Sequence, residues 1–220
     1  MAREGATPVP GRRGWQVLLE RRDPAARTAA DCVELAVDCS RRGDLDGARS
    51  WLDAGLAACD DPQTEWQLRY LLGLSRLDGG DKTRAVEDFA RAFELDPERL
   101  EPLHQLVRIK SSQGDLQSAV ELSRLALDLE MPRSGGYLER IVYERERYIQ
   151  HIVILERLQA YAEARDACDA LLEAHHLRVD LRRFWRSRAS ATVPWPNPYR
   201  SMRHRGRRPG NRRCLPWAWP

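Results

Sequence analysis

From about residue 30 to residue 175 the apolar positions recur three and four apart, one helical stripe at a time, and short stretches rich in glycine, proline or aspartate interrupt the stripes. No segment alternates apolar and polar residues as a half-buried strand would. Residues 65–98 (EWQLRYLLGLSRLDGGDKTRAVEDFARAFELDPE) align without a gap on the stretch that begins at Arg99. Leu72 falls on Leu106, Gly80 on Gly114, Ala85 on Ala119 and Ala92 on Ala126, each at a separation of 34. Gly80 and Gly114 stand between two helical periodicities, where tolerance of positive φ lets the chain reverse within a few residues. Ala85 and Ala92 lie two turns apart on one face and admit close helix approach, while Phe89 fills the space between them. Pro97 ends the second helix, because it lacks an N–H and biases the preceding residue away from the helical region. Each unit therefore predicts a helix–turn–helix hairpin.

Two degenerate units flank this pair. Upstream, Leu35, Ala36, Gly43, Ala48 and Leu52 repeat the pattern, with Ala48 lying 37 residues before Ala85. Three extra residues around Asp60–Thr64 are expected to form a longer loop between units. Downstream, Tyr161, Ala164, Cys168 and Leu171 form a fourth unit, in which Gln159 occupies the position of the turn glycine. Ala164 follows Ala119 by 45 residues, which implies an insertion of about 11 whose turn chemistry lies in MPRSGGYLER. RVDLRRFWRSRASA predicts a closing amphipathic helix with Leu181, Phe184 and Trp185 inward. The expected organisation is an N-terminal segment at 1–22, partly disordered, a repeat domain at 23–190, and a disordered tail rich in Pro, Arg and Trp at 191–220.

Residues 65–98 resemble a tetratricopeptide repeat: Leu72, Gly73, Gly80, Ala85, Phe89, Ala92 and Pro97 match the family's signature positions, with Arg76 in place of the aromatic residue expected after Gly73. The resemblance implies an all-α, right-handed solenoid of about four helical hairpins with a C-terminal capping helix. It also implies a concave face lined by the first helix of each hairpin, on which Tyr70, Leu74, Leu77, His104, Gln105 and Arg108 are the candidate groove residues. Tyr and Arg are good anchors for a partner, whereas leucines at this spacing more often pack against the neighbouring repeat. Repeat proteins that clamp a chaperone's C-terminal carboxylate resemble one another in a Lys/Asn/Arg set, and the corresponding positions here are Val33, Glu34, Tyr70, Leu71, His104 and Gln105. That set is missing. Residues 137–177 resemble a helical region found beside bacterial glycosyltransferase domains, matching at Tyr161, Ala164, Cys168, Leu171 and Leu172 and departing at His151 and Glu156–Leu158. This second resemblance implies an accessory or remnant module, with no transferase domain of its own.

Charge refines the picture. The net charge of +3 conceals an acidic body and a tail in which no acidic residue follows Asp180 while eleven arginines do. Subtracting those eleven leaves residues 1–181 at −8. Arginines among Tyr199, Trp217 and Trp219 suit nucleic acid. A solvated tail accounts for them better, since arginine outnumbers lysine 34 to 2 throughout, and so does a truncated or out-of-frame remnant. Charged residues make up 31% and the mean hydropathy is −0.61. No apolar run reaches membrane-spanning length and no apolar core follows the N-terminal arginines, so a cytoplasmic protein is expected. The five cysteines are scattered, without metal spacing. Asp44-Leu45-Asp46 spells a metal-binding DxD, but at a helix start its carboxylates suit capping. His175-His176 suits a helix C-terminus better than a metal, because adjacent side chains diverge. Phosphate loops, nucleophile elbows and HExxH motifs do not occur. The expectation is a non-catalytic scaffold that binds a peptide or protein, with no cofactor or metal and with nucleic-acid binding as the weaker alternative.

Overall fold

The computed structural model describes residues 27–132 and 138–174. These residues are helical, with no strand among them, and form two compact units, one ending at Asp81 and the other beginning at Lys82. No described helix is long and apolar enough to cross a membrane.

The first unit holds α1 (Ala29–Arg41), α2 (Leu45–Ala57) and α3 (Pro62–Asp78). Thr28 and Asp31 start α1 with a reciprocal capping box: the threonine hydroxyl accepts from Asp31 N–H at 3.2 Å and the carboxylate from Thr28 N–H at 3.0 Å. Cys32, Leu35, Ala36 and Cys39 then bury one helical stripe. α2 packs on both α1 and α3. It can do so because Gly55 lacks a side chain: a Cβ there would sit 2.8 Å from a Leu68 methyl and 3.0 Å from Cys32 Cβ. Asp61 caps α3, accepting from the N–H and hydroxyl of Thr64 at 2.7 Å each, and these bonds hold its carboxyl below the usual range.

The expected long loop before α3 is a correction. Pro62 takes the first helical position behind Asp61, so the three extra residues extend the helix, and α3 has 17 residues against 14 in the first helix of the next hairpin.

The second unit holds α4 (Lys82–Leu95), α5 (Leu100–Gln113), α6 (Leu116–Asp128), a π-helical turn (Val142–Glu146), α7 (Arg147–Arg157) and α8 (Tyr161–Ala174). One core joins Val107 of α5 and Ala119 and Val120 of α6 to Ile149, Ile152 and Leu155 of α7 and Ala164, Cys168 and Leu171 of α8. A second joins Leu100 and Leu103 to Ala126, Val142 and Tyr143. Burial pushes the Cys168 thiol up to about 12, so it behaves as a small apolar side chain.

Four helices, α1, α3, α5 and α7, end in one closure. Gly43, Gly80 and Gly114 are left-handed at φ 79°, 88° and 89°, and Gln159, in the position where the glycine is missing, adopts φ 61°. In each turn the following N–H donates to the carbonyl five residues back: Asp44 to Cys39, Asp81 to Arg76, Asp115 to Lys110 and Ala160 to Leu155. This is the Schellman closure of a helix C-terminus. Five residues after each left-handed position stands a buried alanine: Ala48, Ala85, Ala119 and Ala164. Phe89, Ala92 and Ala126 are buried as well, and α4 stops two residues before Pro97. The expected closing helix, His175-His176, the tail, Cys214 and the segment 1–22 lie outside the described residues.

Candidate functional site

The candidate groove residues lie on two first helices, α3 in one unit and α5 in the other, and each face stands on its own unit. On α3, Tyr70 is fully buried and stacks on Trp66 one turn earlier, with ring centroids 5.5 Å apart and planes inclined by 14°. Leu74 is also buried, as is Gly73 behind it, and Leu77 is half-buried.

On α5, His104 and Gln105 are buried and Arg108 is exposed. Gln150 of α7 meets His104, amide nitrogen to ring Nε2, at 3.3 Å. Burial, reinforced by the nearby Arg108 charge, lowers the His104 pKa to about 3, so the ring is neutral. Gln105 accepts from Arg108 Nη1 at 2.8 Å, which ties the exposed guanidinium to the helix surface.

α5 is held at both ends by bonds that the sequence did not announce. At its N-terminus Glu101, fully buried, accepts from the Tyr143 hydroxyl at 2.7 Å, from Glu139 N–H at 3.2 Å, and from Arg99 at 3.4 Å through two nitrogens. Tyr143 in turn accepts from Leu100 N–H at 2.9 Å. Burial first, and then the carboxylate beside it, push the Tyr143 hydroxyl well above its usual range, so it stays a proton donor. A buried ion pair of this kind is tolerable only when its remaining lone pairs are satisfied, and here they are. The same bonds seat the π-helical turn.

Arg147 at the start of α7 donates to the carbonyls of Ala126, Leu127 and Leu129, completing the C-terminus of α6. At the C-terminus of α5, Arg157 Nη1 donates to the Ser111 carbonyl at 2.7 Å and to its hydroxyl at 2.8 Å, and Lys82 Nζ stands 3.5 Å from the Ser112 hydroxyl.

Chemistry elsewhere is bound into the scaffold. Asp44 accepts from Gly47 N–H at 2.9 Å and Asp46 pairs with Arg49, so the DxD carboxylates cap and brace α2. Ser123 Oγ lies 2.7 Å from His151 Nδ1, but the hydroxyl donates to the Val120 carbonyl at 2.8 Å. This buried pair ties α6 to α7. Among the described residues no group of His, Cys, Asp and Glu is arranged to hold a metal.

Residues 67–99 match the family described as Tetratricopeptide repeat. The fold also superposes on a solved structure, the crystal structure of MamA protein, with a TM-score of 0.52 and 18% sequence identity over 73% of this chain and 89% of that one. The sequence finds no match among curated proteins. The chain thus carries a tetratricopeptide repeat within an all-α fold of helical hairpins.

Proposed function

We propose that the protein is an interaction scaffold that holds a peptide or protein segment against the first helices of its hairpins and performs no catalysis itself. The observation that carries this reading is α5. Bonds pin it at both ends, buried ones at the N-terminus and exposed ones at the C-terminus, and it presents Arg108 exposed and oriented by Gln105. A pre-ordered guanidinium loses little freedom on binding, which is how a rigid helical surface gains affinity. On α3 the accessible counterpart is Leu77, while Tyr70, Leu74 and His104 support these surfaces from beneath.

Selection of binders from an unbiased displayed peptide library tests the reading. An enriched peptide should bind the Arg108→Ala protein about tenfold or more weakly, as expected for an anchor residue, and Leu77→Ala, assayed separately, reports on the α3 face. Enriched peptides indifferent to both substitutions would move the surface elsewhere, and the absence of any enrichment would count against a scaffold. The likeness of residues 137–177 to a glycosyltransferase-associated region rests on sequence pattern, and packing accounts for Ala164, Cys168 and Leu171, which are core residues.

A further inference from the structure

Two exposed cations from other helices reach the last turn of α5, Lys82 from the start of α4 and Arg157 from the end of α7, and a third, Arg108, stands on α5 itself one turn earlier. Ser111 and Ser112 lie three and four residues after Arg108 and therefore share its helix face. Lys82 reaches Ser112 and Arg157 reaches Ser111, which brings these two charges to one turn, while the Arg108 guanidinium bonds Gln105 on the turn before it. Their bonding partners among the described residues are neutral oxygens: the hydroxyl of Ser112, the carbonyl and hydroxyl of Ser111, and the amide oxygen of Gln105. Lys110, by contrast, is paired with Asp115 at 3.2 Å. Arg157 uses only Nη1 in these bonds and Arg108 only Nη1, which leaves the other nitrogens of each guanidinium open to a ligand. On a body that carries −8 over residues 1–181, three cations gathered without carboxylate partners form a local positive surface on an acidic background.

We infer that this turn is the recognition surface for an acidic peptide segment, whose carboxylates pair with Lys82, Arg108 and Arg157 and whose backbone or side chains bond Ser111 and Ser112. The inference rests on the scaffold reading above and names the chemistry of its partner. Arginine forks match carboxylates two bonds at a time; the Ser111 hydroxyl, which accepts from Arg157, keeps its proton to donate, whereas Ser112 gives its own to the Ile109 carbonyl at 2.8 Å and can only accept. A peptide fits better than a nucleic acid because the patch spans only about two turns of one helix and the acidic body around it repels an extended phosphate backbone.

The test is fluorescence anisotropy of an end-labelled octaglutamate against the full chain, beside an octaglutamine control. The expected result is binding of octaglutamate alone, weakened about tenfold or more in Lys82→Gln/Arg108→Gln/Arg157→Gln and progressively by added salt. The charge-preserving Arg108→Lys/Arg157→Lys protein should keep most of the affinity, and circular dichroism checks that each variant is folded. Should the triple variant lose its helical signal, the comparison passes to the single Arg157→Gln, which should still weaken binding. Equal affinity in wild type and variants would overturn the inference. So would single-stranded RNA that displaces the peptide from wild type and itself depends on the three cations, since the patch would then read phosphate. In the unbiased library, neutral peptides that need Arg108 but not Lys82 or Arg157 would sink this inference and leave the scaffold standing, whereas no enrichment would sink the scaffold reading as well.

Discussion

Gln159 shows how much a single position tells. The other three helix ends of this kind use glycine, for which φ near +80° to +90° carries no steric penalty. Gln159 makes the same closing bonds at φ 61°, where an L-residue with a Cβ is disfavoured by about 1–2 kcal/mol. The fourth turn is also poorer at its next residue: Asp44 and Asp115 cap the helices that follow the first and third turns, and the fourth has Ala160 at that position. Gln159→Gly should therefore raise stability by about 1 kcal/mol, read as a higher denaturant midpoint with an unchanged slope. An unchanged or lower midpoint would mean that the glutamine side chain compensates for its backbone. The departure from glycine was legible in the sequence, and so was the turn. What could not be read was that the packing of α7 and α8 is strong enough to impose the left-handed conformation on a residue that disfavours it.

Among the elements, α7 is the one whose docking depends on uncharged histidines. His104 of α5 faces Gln150, and His151 beside it faces Ser123 of α6, so two buried imidazoles flank one position of the α7 surface. Both have their pKa lowered, His104 to about 3 by burial and then Arg108, and His151 by burial and then Arg124, with Glu163 opposing. Below about pH 6.5 the unfolded chain takes up protons that the folded chain refuses, so the stability these rings contribute is full above that pH and is lost as the pH falls. Between pH 7 and pH 5 the unfolding free energy should drop by on the order of 1 kcal/mol or more, and His104→Gln should flatten that decline. A variant with the same acid slope as wild type would show that His104 titrates normally. Sequence periodicity placed these helices correctly, and the tetratricopeptide resemblance put His104 and Gln105 on the groove face; their burial was not legible, because a pattern gives the direction of a stripe and not the element that covers it. The same limit hid Glu101 and Tyr143. Charges in a helical pattern read as solvated, and a network spanning some forty residues leaves no local signal.

At the scale of the whole molecule, the repeat spacing carried the hairpin architecture, since a separation of 34 between glycines and between alanines has few physical solutions other than stacked helix pairs. The insertion before the fourth hairpin was legible as a break in that spacing. Its π-helical turn was not, because it depends on the buried contacts of Tyr143 rather than on local propensity. The function is less legible than the fold for a related reason: a scaffold needs a rigid surface of the right chemistry, and neither rigidity nor an unpaired charge leaves a motif. The central claim is that α5 is such a surface, and the most direct measurement is amide hydrogen exchange on the full chain with and without a peptide enriched from the library. Binding at α5 predicts slower exchange within residues 100–113 and in the adjoining end of α7, with α2 unchanged. Protection confined to other helices, with 100–113 unaltered at saturating peptide, would contradict it.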